Sequence, residues 1–413
     1  MMRLCALVSI AFVLHSSTLL SETLYTKRKT SPVREGAGAY YGLVVSLPEN
    51  TALAVIGRSG NWVKVQLPDK RLGWIAANCL ADRKNDRLTS PSLENVWSSP
   101  KASKAGISAA IKGFGKKYGK TEPATVDSLL SYSEKDFTSE ELSAFNKEIT
   151  QYSSGNRGKL QLADLDLATP EYYPTFPEQQ IGVGIAARIL QRGMVNKPPF
   201  HRYVNMICAT IAEHSSIYDW DLTVFVLHDS AFNAFSVPGG YIFITLGALR
   251  ECSDEAELAG IIAHEIAHIY RRHGLQEMSK RLVHIRSDEA FGELEGETGG
   301  KSEDEAEMED LVDQTYEAIV HPRLLSYEIE AEKIGAILIA NAGYDPFGLV
   351  RISDRVARIP SEKPDIFDPN YMRPNDAVER YKEIKAFAEK NFTTVSPGMR
   401  MRERFNSFTS SLK

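Results

Sequence analysis

His264-Glu265-Ile266-Ala267-His268 sets two histidines four residues apart around a glutamate, in a segment that reads as helix. Residues at that spacing share one helix face. Both imidazoles can therefore reach one divalent ion through neutral ring nitrogens. Glu265 projects about 100° further round the axis, where its carboxylate can take a proton from metal-held water. A buried helix that carries these letters by chance is the poorer account in a chain of nine histidines. The pattern points to Zn²⁺, one per chain.

The flanking text supports a helix. Ser253 reads as the N-cap, with Asp254 and Glu255 in the first turn, where acidic groups suit the helix dipole. Leu258, Ile261, Ile262 and Ile269 recur at helical spacing. Arg271 and Arg272 fall in the last turn, and Gly274 reads as the stop.

A third ligand has to come from elsewhere. A histidine six residues after His268 is excluded, because that position is Gly274, and His273 is one residue out of register. The other source is a glutamate on a second helix, offered by Ser326 to Gly335. Glu328 and Glu332 lie one turn apart on one face, with Glu330 on roughly the opposite side. Glu328 would complete a two-histidine, one-glutamate site with an open fourth position. Glu332 could then orient a ligand histidine.

These residues resemble the zinc metallopeptidases of the HtpX/BepA type, the gluzincin family that includes the CAAX prenyl endopeptidases. That family couples H-E-x-x-H to a later E-x-E-A-D, and this chain has Glu328-Ile329-Glu330-Ala331-Glu332. The resemblance makes Glu328 the zinc ligand and Glu265 the general base. Asn233-Ala234-Phe235-Ser236-Val237-Pro238-Gly239-Gly240-Tyr241-Ile242-Phe243-Ile244 is close to the family's N-A-F-x-x-P-G-G-x-I-x-V. The likeness covers about residues 166–413 and implies a mainly helical peptidase domain with a small β-sheet. Three departures stand out. Glu332 replaces the usual aspartate. The arginine common three residues before the glutamate ligand is Leu325, with Arg323 as a stand-in. The late T-H-P followed by an arginine finds a counterpart in Val395-Ser396-Pro397 with Arg402, without the histidine. Arg402 and Tyr327 are the candidates for an additional oxyanion donor.

Leu222–Leu227 and Tyr241–Thr245 are β-branched and aromatic runs that predict paired strands. Pro238-Gly239-Gly240 permits a tight path into the second. An edge strand beside a zinc helix can hold an extended peptide by main-chain hydrogen bonds. Asn233, Pro238, Gly239, Gly240 and Tyr241 are the candidates for that task; an ordinary hairpin is the alternative.

Upstream, Met1-Met2-Arg3 and the apolar run Leu4–Leu14 read as a secretory signal over residues 1–21, too short for a confident membrane span. The expected location is periplasmic or secreted. Residues 22–84 hold short strand-like runs separated by turn residues, a small-barrel pattern. Gly60-Asn61-Trp62-Val63-Lys64-Val65 followed by Gly73-Trp74-Ile75 resembles a bacterial SH3-type domain, which implies a peptide or cell-wall polymer as ligand; a spacing role is the alternative. Residues 85–165 read as linker with short helices. They include a lysine-bearing stretch from Ala105 to Tyr118 and a capping box at Thr138 and Glu141. Pro177 begins an apolar helix that ends near Gly193. The whole is an α+β chain: a small all-β barrel, then the helical peptidase unit.

After the signal, Cys79, Cys208 and Cys252 remain. Cys208 falls on the apolar stripe of Val204, Ile207 and Ile211, which favours a core thiol over a Cys208–Cys252 bridge. Residues 288–313 hold twelve acidic residues and one lysine, in a chain whose net charge is −6. Their mutual repulsion and scarcity of apolar residues predict a mobile insertion between the two metal-ligand segments. No basic stripe with interleaved aromatics appears, so nucleic acid is not expected as a partner. Protein or peptide substrates are. The functional expectation is an endopeptidase acting on unfolded or damaged envelope proteins. A zinc-dependent chaperone or assembly factor with latent protease activity and a cell-wall peptide hydrolase are the alternatives.

Overall fold

The computed structural model describes residues 22–84, 137–151, 176–190, 193–280, 323–369, 372–393, 398–410 and 412. The signal segment, the Ala105–Tyr118 stretch, the 288–313 segment and Val395-Ser396-Pro397 lie outside the described residues.

Residues 23–81 form the barrel. Its strands are β1 (Thr23–Thr26), β2 (Ser31–Arg34), β3 (Leu43–Leu47), β4 (Ala52–Ser59), β5 (Trp62–Gln66), β6 (Leu72–Ala76) and β7 (Leu80–Ala81), in the sheet order β3-β2-β6-β5-β4-β1-β7. Val33, Leu47, Leu53, Val65 and Ile75 fill its interior.

The barrel is not tethered loosely. Arg28 Nη1 donates to Asp219 Oδ2 at 2.6 Å, with both side chains almost fully buried. Asn78 Nδ2 donates to the second oxygen of Asp219, and the Asn78 backbone N–H donates to Tyr218 Oη. Tyr218 in turn packs edge-on against Trp62 inside the barrel core. Helix α1 (Ser139–Gln151) begins at the expected capping box, Thr138 with Glu141, and helps cover the junction through Leu142.

The second unit is helical around a three-stranded sheet. Helix α2 (Phe176–Leu190) is followed by α3 (Pro198–Glu213), then β8 (Thr223–Leu227), β9 (Ala234–Val237), β10 (Tyr241–Thr245) and the short α4 (Leu246–Glu251). The strand order is β8-β10-β9. The two expected strands do pair, but in parallel, from Thr223↔Tyr241 to Leu227↔Thr245. The residues before Pro238 form a third strand, antiparallel to β10. Gly239 and Gly240 have φ of 82° and 98°, the left-handed backbone that this turn requires. Gly182 of α2 lets the turn seat: a Cβ there would lie 1.8 Å from the Pro238 carbonyl oxygen. The outer edge of β8 is occupied. Asn205 bonds both the N–H and the C=O of Val224, and Val195 N–H donates to Val226 O.

Helix α5 (Glu255–Tyr270) carries the histidines and is buried from Glu255 to Ile269. Its N-cap is Asp254 rather than Ser253; the Asp254 carboxylate accepts from the Glu257 N–H at 3.1 Å. Its first turn buries three carboxylates, a costly arrangement unless each is paired. Asp254 meets Arg400 and Arg351, Glu255 meets Arg404 and the hydroxyls of Tyr203 and Tyr344, and Glu257 meets Arg351 and Arg355. Arg272, at φ 55°, ends the helix, and α6 (His273–Lys280) starts at once, so Gly274 lies inside a second helix instead of stopping the first.

Helix α7 (Leu325–Ala342) crosses α5 and ends at Gly343 in the left-handed conformation. Helices α8 (Phe347–Glu362) and α9 (Pro374–Phe392) close the cleft, and α10 (Arg402–Thr409) packs near the start of α5. Cys79, Cys208 and Cys252 are buried and unbridged. No helix among the described residues is long and apolar enough to cross a membrane.

Replacing Asp219 by Ala strands the buried Arg28 guanidinium. Loss of one member of such a pair costs about 3–5 kcal/mol, and urea unfolding of Asp219→Ala against wild type should show it. The Glu213 carboxyl, 3.4 Å from Tyr40 Oη at the same junction, is pushed up by burial to about 7. The folded chain thus holds this proton more tightly than the unfolded chain, so the associated stability is full below about 4.5 and lost as pH rises through 7. Between pH 5 and 8 the wild-type melting temperature should fall relative to that of Glu213→Gln.

Candidate metal centre

His264 and His268 leave the same face of α5 with their Nε2 atoms 3.0 Å apart. The α7 carboxylate of Glu328 meets both, Oε2 at 3.3 Å from His264 Nε2 and Oε1 at 3.4 Å from His268 Nε2. The three donors lie within 4.8 Å of one another. Gly335 makes this crossing possible. A Cβ there would stand 3.1 Å from the His264 backbone nitrogen, and Glu328 lies two turns earlier on the same helix.

The electrostatics suit a cation. Burial drives the His268 imidazole well below the usual histidine value, with Arg323 adding to the effect against the pull of Glu328. The ring is therefore neutral, as a metal ligand must be. Burial tends to raise Glu328, but Arg380 and the two histidines outweigh it and hold the carboxylate well below its ordinary range. Two imidazoles, that of His268 neutral, and one ionised carboxylate form a donor set that fits Zn²⁺.

Two supports were not expected from sequence. His273, set aside as out of register, places its Nδ1 2.9 Å from His268 Nδ1, and its Nε2 lies 3.3 Å from Glu330 Oε2. Tyr327 stacks on its ring and Arg271 pairs with Glu330. If His268 Nε2 faces the metal, its Nδ1–H donates to His273, whose Nε2–H donates to Glu330. Burial lowers His273 to about 4, against Glu330, so its ring too is neutral and able to accept. The break at Arg272 brings His273 back to the site; the spacing gave no hint of that turn.

The second support is Arg380 of α9. Its Nη1 lies 2.8 Å from Glu328 Oε2, while Nε and Nη2 donate to Glu332 Oε1 at 3.1 and 2.6 Å. The expectation that Glu332 orients a histidine is thereby corrected. Glu332 accepts from Arg380 and Ser353, and it holds the arginine that holds the ligand. Arg380, six residues after Pro374, lines the cleft, and Arg402 does not.

Glu265 accepts from Ser236 Oγ at 2.9 Å and sits 3.6 Å from Arg323 Nη1. His264, Glu265, Arg323, Glu328, Glu332 and Arg380 face one cleft of about 90 Å³. Phe232, Phe235, Ile261, Leu349, Ile352 and Val356 form its apolar wall, and Asn233 and Ala234 lie along its rim. The other candidates stand apart. Pro238, Gly239 and Gly240 form the turn packed on α2, and Tyr241 begins the central strand, so of the five strand candidates only Asn233 lines the cleft. Arg402 is exposed at the start of α10, and Tyr327 is engaged with His273 and Gln276; neither lines the cleft.

Removing the Arg380 charge should leave Glu328 and Glu332 as facing buried carboxylates. Loss of such a supporting contact costs about 10–100-fold in metal affinity. Competition with a chromophoric chelator on Arg380→Met should show a weakening of that order, with α-helical content unchanged.

Residues 200–394 match the family described as Peptidase family M48, and residues 29–81 match the bacterial SH3 domain. The chain is similar to the mitochondrial metalloendopeptidase OMA1 of Arabidopsis thaliana, 31% identical over 32% of this chain and 25% of that protein. It is also similar to the OMA1 of Schizosaccharomyces pombe, 30% identical over 36% of this chain and 42% of that protein. A third relative is the beta-barrel assembly-enhancing protease of Escherichia coli K12, 23% identical over 42% of this chain and 36% of that protein. The chain thus spans about a quarter to two-fifths of the length of these curated relatives.

Proposed function

Residues 200–394 being a family M48 peptidase domain, we propose that the protein is a zinc-dependent endopeptidase acting on extended segments of unfolded or damaged polypeptide. The observation that carries this reading is the convergence of His264, His268 and Glu328 on one point, with His264, Glu328 and Glu265 lining one cleft. Zn²⁺, held by the first three, would supply Lewis acidity to the scissile carbonyl and the attacking water. Glu265 would take the proton from that water and pass it to the leaving amine.

The sheet suggests how substrate lies. With the outer edge of β8 occupied by Asn205 and Val195, β9 is the edge beside the cleft, and Asn233 and Ala234 at its start line that cleft. A peptide added along β9 would be bound mainly through its backbone, which tolerates diverse sequences. The apolar wall would receive a large apolar side chain next to the scissile bond. The signal-like text before Leu14 supports an exported setting, and with it envelope proteins as substrates. The barrel, locked to the peptidase unit by the Arg28–Asp219 pair, would present a peptide or cell-wall ligand at a fixed position rather than on a free tether.

Zinc quantification and casein cleavage on wild type and Glu265→Gln test this reading. The variant should keep one zinc per chain and lose about 10²–10⁴-fold in rate. Undiminished cleavage by the variant would sink it. Zinc-bound wild type that protects unfolded casein from aggregation without cutting it would favour a chaperone, and release of muropeptides from peptidoglycan in place of casein fragments would favour a cell-wall hydrolase.

A further inference from the structure

Ser236 occupies one of the two unspecified positions in the stretch Asn233-Ala234-Phe235-Ser236-Val237-Pro238, so the resemblance assigns it no role. It is nonetheless buried, and it is the residue of β9 whose hydroxyl donates to Glu265 Oε2, at 2.9 Å. Arg323, 7% exposed, lies 3.6 Å from the same oxygen through Nη1 and donates through Nη2 to the Ser236 carbonyl at 3.2 Å. The three residues close a ring: strand hydroxyl to base, base to guanidinium, guanidinium back to the strand carbonyl.

The geometry points to Ser236 as a positioning residue for the reaction, steered by Arg323, that clamps one oxygen of Glu265 and thereby aims the other. This rests on the hydrolytic reading above. The terminal torsion of a glutamate is broad, and a carboxylate free to swing about it spends much of its time misaligned. Fixing Oε2 from the strand side sets the direction of Oε1, which accepts no hydrogen bond among the described residues. Misplacement of a reacting group by about 1 Å can cost on the order of 100-fold, so the clamp is worth having even though it touches neither metal nor substrate. It also ties the base to β9, so the strand proposed to hold substrate and the group that moves the proton are set by one side chain.

The test uses the full-length protein with zinc bound. Ser236→Ala should lower kcat about ten- to a hundredfold while KM, zinc content and melting temperature stay within error. Ser236→Thr, which keeps the β-hydroxyl, should recover most of the loss. In the Glu265→Gln background, where peptide binds without being cut, adding Ser236→Ala should leave peptide affinity unchanged. An unchanged kcat in Ser236→Ala overturns the inference. So does a loss that tracks reduced zinc content or reduced peptide affinity, since Ser236 would then be a packing or binding residue. A zinc-loaded wild type without any peptide hydrolysis removes the hydrolytic reading and this inference together, a result recognisable before any Ser236 variant is made.

Discussion

The close crossing of α5 and α7 is the constraint on which the rest depends. Gly335 has no Cβ where one would stand only 3.1 Å from the His264 backbone nitrogen, which lets the two helices approach closely. Only at that separation does a glutamate two turns up α7 reach two histidines one turn apart on α5. Burial then does chemical work: the same dry interface that favours the crossing keeps His268 neutral and leaves Glu328 dependent on charged partners.

Burying so many charged groups is expensive, and the structure meets the cost in pairs. At the start of α5, Asp254, Glu255 and Glu257 are matched by arginines from α8 and from the C-terminal segment. This arrangement complements the helix dipole and clamps α5 to elements distant in sequence. At the metal end, Arg380 serves Glu328 and Glu332 together. The end of α5 is held to α7 by the Arg271–Glu330 pair, and tilt of α5 would separate the histidines from Glu328.

Local chemistry made much of this legible in sequence. The i, i+4 histidines, the alternating runs of the barrel and the capping box at Thr138 all express rules that act within a few residues. The α+β layout and the family M48 and SH3 matches followed from them. What stayed hidden depends on long-range packing. Arg380 lies 52 residues beyond Glu328 on an amphipathic helix full of charge, and nothing local separates it from its solvated neighbours. His273 was excluded by helical register, which assumed that α5 continued; the left-handed Arg272 broke that assumption. The strand β9 was masked by its short, motif-like text, and the sense of the β8–β10 pairing was left open because a parallel pair leaves no hairpin signature.

The centre has an electrostatic logic of its own. Glu265, Glu328 and Glu332 face Arg323 and Arg380, three carboxylates against two guanidiniums, while His268 is neutral. These five charged side chains leave a single negative charge uncompensated. A divalent ion held by His264, His268 and Glu328 would turn that balance positive, which would favour the electron-rich carbonyl of a substrate. Without Arg380 the site would carry one further unit of negative charge, and Glu328 and Glu332 would face each other as buried carboxylates with nothing to hold the ligand in place. With Glu332 paired to arginine rather than to a ligand histidine, it adds no electron density to a cation through that ring, and an electron-poor cation would suit peptide-bond hydrolysis.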